Sequence, residues 1–236
     1  MVLRVRSKIQ KVMGMVLILI SLIVGGYLLR DTVTVYLNNQ KQDEILTELR
    51  SKKAEEEFSF ELPELHKAGQ LIVPELDTHI KKTEVDEGRG DTTGVLSIPG
   101  IDILLPIFEG VGEDNLFRGA ATNKIGQVMG EGNYVLASHY MYDGVSLFAP
   151  LDSLAPGMKI YVSDYRHVHV YTYQDITIVE PTASEVLADK GERELTLYTC
   201  TEVGDFREVY QATYDGYYLY DELTTEQLEG FGHIKK

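Results

Sequence analysis

The sequence predicts an all-β domain with short helices, preceded by an N-terminal transmembrane helix and a stalk. Three observations carry that reading. From Thr92 onward, short apolar runs alternate with turn residues at close intervals, the pattern of strands rather than long helices. Near the N-terminus, 18 consecutive residues carry no charge. Between these regions lies a polar stretch with apolar residues at helical spacing.

Residues 1–11 hold Arg4, Arg6, Lys8 and Lys11 and no acid, a basic tail expected on the cytoplasmic side. Val12 to Leu29 follows without a charge. At ~1.5 Å per residue it spans about 27 Å, enough for a bilayer core. A cleaved signal peptide would have a shorter apolar core and a small-x-small site after it. Gly25-Gly26-Tyr27-Leu28-Leu29-Arg30 supplies no such site. The segment is therefore read as an uncleaved anchor at 12–29, with the rest of the chain extracellular.

Residues 30–91 read as stalk and linker. Val33, Leu37, Ile45 and Leu49 recur at helical spacing over 30–57, a stripe too broken for a coiled coil. Residues 58–91 are acidic and carry Pro63, Pro74, Gly88 and Gly90. The adhesion-like tripeptide Arg89-Gly90-Asp91 is read as accidental, since tripeptides arise by chance.

The strand-like runs are Gly94–Ile98, Ile101–Ile107, Tyr134–Ala137, Lys159–Ser163, His167–Tyr173, Ile176–Val179, Leu195–Thr199 and Glu208–Tyr214. Eight short strands point to a closed barrel or a sandwich. Helical turns are expected near Asp114–Arg118 and Ser184–Ala188.

The 236-residue chain is 44% hydrophobic, ample for a core, and its formal net charge is −15. That charge argues against a nucleic-acid partner, because no basic stripe is present to displace phosphate counterions. The single cysteine cannot form an intramolecular disulfide. It is either an inert buried residue or a working thiol.

Cys200 ends the alternating run Leu195-Thr196-Leu197-Tyr198-Thr199-Cys200. Period-2 alternation turns it away from the face of Leu195 and Leu197. A thiol attacks as the thiolate, so it needs a base or a cationic neighbour. His139, at the end of the run from Asn133, is a candidate for either task. Arg207 follows Cys200 by seven residues. A two-residue turn at Gly204-Asp205 would pair Arg207 with Glu202 and make it a diagonal neighbour of Cys200. A guanidinium there could donate to an oxyanion. Each residue also has a plainer reading: a buried hydrophobe, a strand-end histidine, an ion pair with Glu202 or Glu208. His167 and His169 share a strand face and could form a metal pair, but no third ligand has an evident spacing, so a solvated face is expected. His66, His79 and His233 fall in linker or tail.

These residues resemble the sortases, cysteine transpeptidases of Gram-positive cell surfaces. Thr196-Leu197-Tyr198-Thr199-Cys200 is similar to the family's T-L-x-T-C, and Ala137-Ser138-His139 to its A-G-H. Leu147-Phe148-Ala149-Pro150-Leu151 and Arg118-Gly119-Ala120 add support, and Gly94 to Pro106 resembles the opening strands. The likeness covers about 92–220, within a catalytic domain taken as 92–236. It implies a closed eight-stranded β-barrel and a two-step acyl transfer. Cys200 would attack the Thr–Gly bond of a Leu-Pro-x-Thr-Gly signal and form a thioester. His139 would serve the leaving and entering amines, and Arg207 the oxyanion. A peptidoglycan cross-bridge amine on its lipid-linked precursor (lipid II) would be the acceptor. By the same analogy Ala137, Thr199, Val186 and Leu187 would line the groove for the signal.

The anchor and the lack of a second span resemble class A; the Asp-Pro-aromatic lid of pilus-building members is not found in 58–91. Ser138 stands where the family has glycine. Only Glu131 and Asp189 could serve the calcium site of some class A members, so neither a metal nor a cofactor is expected. The alternatives are a pilin-polymerising sortase with a lysine acceptor, and a membrane-tethered binding module with a structural cysteine.

Overall fold

The computed structural model describes residues 15, 24, 33, 36–51, 92–201 and 203–231. The basic tail, nearly all of the 12–29 run, the 58–91 linker with its tripeptide, His66, His79 and His233 lie outside the described residues. Among the described residues, no helix is long and apolar enough to cross a membrane.

The chain divides into two compact units, Met1–Lys41 and Gln42–Lys236. Residues 36–51 are helical (α1). In the second unit the strands are β1 (Thr92–Ile98), β2 (Ile103–Phe108), β3 (Ala120–Thr122), β4 (Asn133–Ala137), β5 (Lys159–Ser163), β6 (His167–Val179), β7 (Glu194–Cys200) and β8 (Arg207–Leu219). They close a barrel in the order β1-β2-β3-β4-β7-β8-β6-β5. Closure removes the exposed sheet edges that an open sheet would present. The sandwich alternative is thereby excluded.

Strand alternation sends Leu96, Ile98, Tyr134, Leu136, Leu195, Leu197, Tyr210 and Ala212 into one buried cluster. Val95, one residue out of phase with Leu96, belongs to a second cluster on the opposite sheet face. There Leu46 and Leu49 of α1 join Leu228 and Phe231 of the C-terminal helix α3 (Thr225–Gly230). Residues 42–51 thus pack as part of the barrel unit, with Leu46 and Leu49 buried. At ~1.5–3 kcal/mol per buried leucine, that contact is more than a tether. α3 begins with a capping box: Thr224 accepts from the Gln227 N–H while the Gln227 side chain accepts from the Thr224 N–H.

Two strand expectations differ from the structure. The runs His167–Tyr173 and Ile176–Val179 are one 13-residue strand, β6. Its ladder to β8 shifts register between Tyr173 and Asp175, and that bulge breaks the sequence alternation. The eighth strand is instead β3, Ala-Ala-Thr, whose small side chains give no hydrophobic signal. It follows α2 (Glu113–Arg118) through Gly119, where a Cβ would collide with the Pro106 carbonyl.

Candidate active site

β4 and β7 are parallel neighbours, with Ala137 opposite Tyr198. The chain leaves β4 through Ser138, whose carbonyl accepts the Thr199 hydroxyl at 2.9 Å. Ser138 N–H in turn points to Tyr198 O at 3.4 Å. These contacts set His139 beside the end of β7, where Cys200 stands. The His139 carbonyl takes the Phe148 N–H (3.2 Å), which closes the loop 140–147. That loop ends on Leu147, buried at φ 53°, a left-handed conformation that costs about 1 kcal/mol or more.

Cys200 is a free thiol, partly exposed. Arg207 lies directly opposite it in the antiparallel β7–β8 ladder, where a diagonal placement was expected. The turn at Gly204-Asp205 does not close a two-residue hairpin. Instead Thr201 N–H donates to Phe206 O at 3.1 Å, so the connection runs from Thr201 to Phe206; Glu202 lies outside the described residues. Because the loop contains an even number of residues, Arg207 keeps the face of Cys200. The bond at 201/206 makes 200/207 a non-hydrogen-bonded pair, the kind whose side chains stand closest. Arg207 Nη1 donates to Phe206 O (3.1 Å). Glu208 accepts from the Tyr210 hydroxyl at 3.0 Å.

These residues share a cleft of about 500 Å³. His139, Cys200, Arg207, Ala137, Val186, Leu187 and Thr199, all singled out in the sequence, line it together. Val186 and Leu187 come from the 3-10 turn Ser184–Leu187. Thr199 lines the wall with its hydroxyl already donated to Ser138, leaving its methyl and backbone to the cleft. Leu116, Val179, Tyr198 and Val209 also line it and were not foreseen. For Val179 and Val209 the register held the signal: Val209 faces Tyr198, and Val179 faces Arg207. Burial holds the Tyr198 phenol above its usual range, with Arg207 opposing and Cys200 adding to the rise.

Ser138 is more than a tolerated departure. Its hydroxyl reaches the carbonyls of Gly119 (2.7 Å) and Leu116 (3.2 Å), at the end of α2. That ties α2 to the residue preceding His139. On α2, the Phe117 ring lies 4.2 Å from the His139 ring, centroid to centroid, at 44°.

His167 and His169 do not form a solvated face. They sit at the other end of β6, in a second cleft of about 600 Å³ with Asp164, Arg193, Tyr214 and Tyr217. His169 Nδ1 meets the Tyr214 hydroxyl at 3.0 Å. Burial, with help from His167, pushes the His169 pKa down to about 4. Among the described residues, no group of three or more His, Cys, Asp or Glu side chains could hold a metal ion.

A family model described as Sortase domain matches residues 96–214. The chain is 34% identical to Sortase A of Bacillus anthracis over 202 residues, covering 85% of this chain and 92% of that protein. It is 31% identical to Sortase A of Listeria monocytogenes over 152 residues, covering 64% and 68%. The solved structure of Listeria monocytogenes sortase A aligns with a TM-score of 0.55 at 32% identity, covering 61% of this chain and 99% of that one.

Proposed function

The chain belongs to the sortase family, as a cysteine transpeptidase of the class A type, and we propose that it cleaves a Leu-Pro-x-Thr-Gly-type signal between Thr and Gly. The observation that carries the proposal is the Cys200–Arg207 cross-strand pair in one cleft with His139.

In this reading the Cys200 thiol gives its proton to His139, and the thiolate attacks the threonine carbonyl carbon. The carbonyl electrons move to oxygen, where the Arg207 guanidinium donates to the developing charge. Collapse breaks the C–N bond, and the imidazolium returns its proton to the leaving glycine amine. A thioester on Cys200 remains. An acceptor amine of a peptidoglycan cross-bridge on lipid II attacks it, loses a proton to His139 and expels the thiolate. The product is a surface protein joined at threonine to the wall. Ala137, Val186 and Leu187 supply apolar wall for the Leu-Pro part of the signal, and Thr199, which precedes the nucleophile on β7, lines the same cleft.

The uncharged run 12–29 would act as a single-pass anchor with the N-terminus cytoplasmic and residues 92–236 extracellular. That placement brings the cleft to both membrane-tethered substrate and lipid-linked acceptor.

The test is intact-mass spectrometry of the full chain in detergent with a Leu-Pro-x-Thr-Gly peptide and a panel of small amines. The expected result is a thioester adduct on Cys200 and a product joined at threonine to one amine. A Cys200 that stays unmodified with every signal variant would overturn the reading and leave a binding module.

A further inference from the structure

Resting on that reading, the ring of His139 poses a question the transfer steps leave open: which nitrogen exchanges protons. Its Nε2 is buried and has no hydrogen-bond partner among the described residues, a costly state for a polar atom. The Glu113 carboxylate lies close to it, with Oε1 3.6 Å from Nε2. Glu113 opens α2, and its side chain is 77% exposed. The helix that carries it is held on both sides. Asn115 donates to the carbonyls of Glu109 (3.2 Å) and Gly110 (2.9 Å). Ser138 donates to those of Leu116 and Gly119. Phe117, one helical turn after Glu113, packs against the imidazole ring. The same short helix therefore touches His139 by its ring and faces it with a carboxylate.

We propose that Glu113 is a positioning residue for His139: its carboxylate accepts from Nε2–H, fixes that tautomer, and leaves Nδ1 as the nitrogen that exchanges protons with Cys200 and the amines. A carboxylate is acceptor-only, so it selects the tautomer with the proton on Nε2. A separation of 3.6 Å is longer than a full hydrogen bond, yet a carboxylate this close to the ring already favours the tautomer that points a proton at it. The separation shortens when the ring becomes the imidazolium, as such contacts do on passing from a resting enzyme to its complexes. Proton count is conserved: Nε2–H persists throughout, and the proton taken from the thiol or the acceptor amine rides on Nδ1. The role matches the orienting carboxylate or amide of other cysteine and serine nucleophile systems in logic, but here it comes from an exposed side chain. The contribution is accordingly modest.

Two measurements test this. The first is a two-bond 1H–15N correlation of the His139 ring in the resting full-length protein, against Glu113→Gln. The wild type is expected to show the Nε2–H tautomer, and Glu113→Gln a mixture. A wild-type ring protonated on Nδ1 would overturn the assignment. This readout needs no turnover, so it can fail or succeed independently of the transpeptidase reading. The second is steady-state transfer by Glu113→Gln, with kcat expected to fall roughly 3- to 5-fold and KM for the signal peptide unchanged. Wild-type kcat, or a loss confined to KM, would sink the proposal.

Discussion

At the end of the barrel where β4 and β7 stop, His139 Nε2 is buried without a hydrogen-bond partner among the described residues and Cys200 is a free thiol. At the end where β6 begins, His169 Nδ1 meets the Tyr214 hydroxyl. There Asp164 Oδ1 accepts the N–H groups of Arg166 (2.9 Å) and His167 (2.7 Å). Although burial works against ionisation, the bonds from His167 hold the Asp164 carboxyl well below the usual carboxylate range. Both ends gather histidine, arginine and tyrosine around a cleft. One end pairs its histidine with a tyrosine hydroxyl; the other bonds Thr199, Tyr198 and Arg207 to neighbours but leaves the ring nitrogen of its histidine unpaired among the described residues. A satisfied network stiffens a structure, while an unsatisfied one costs stability and is available for chemistry.

Four variants would sharpen or break that contrast. Cys200→Ala should abolish acyl-enzyme formation and transfer by intact mass, with the melting temperature unchanged, since Cys200 faces away from the core of Leu195 and Leu197. Persistent transfer would move the nucleophile elsewhere. Arg207→Ala should lower kcat by about 10²–10³, the cost of losing an oxyanion donor, and near-normal turnover would reduce Arg207 to a packing role.

His169→Gln should leave kcat intact and change acid stability instead. The folded-state pKa of about 4 lies below the ordinary ~6.5, so the unfolded chain takes up the proton first. Wild-type stability therefore falls as pH drops from ~6.5 toward 4, by at most ~3 kcal/mol. Gln cannot titrate, so urea melts across that window should show a flatter slope for the variant. An unchanged slope would mean that His169 is not held neutral. Smallest is Ser138→Gly, which removes the bonds to Gly119 and Leu116 and loosens the backbone before His139. About 1–2 kcal/mol of stability should go, with turnover reduced only a few-fold. A variant as stable as wild type would show that the hydroxyl does not anchor α2.

The end that carries Cys200 and His139 was the more legible of the two. Alternation in β7 placed Cys200 off the core face, and loop parity placed Arg207 on that same face even though its pairing partner shifted by two residues. Short-range pattern sufficed because both facts follow from a period of two. His169 was misread because the pattern that put it beside His167 says nothing about Tyr214, a partner on another strand. β3 escaped because three small residues carry no periodicity. α3 was missed although Thr224 and Gln227 spell its capping box. Glu113 had no sequence signal at all: only the fold of α2 against Ser138 brings it to the imidazole.

The parallel pairing of β4 with β7 has a consequence for how the molecule matures. Thr199 and Ser138, which bond across that pair, are 61 residues apart in sequence. No local element can bring them together, and the entropy of closing so long a loop must be met before any contact across it forms. Chains dominated by such distant pairings fold slowly, on the scale of milliseconds to seconds. His139 and Cys200 remain strangers until the barrel shuts. In refolding, activity should return only with that final closure, so the thiol is held idle for as long as the chain is incomplete.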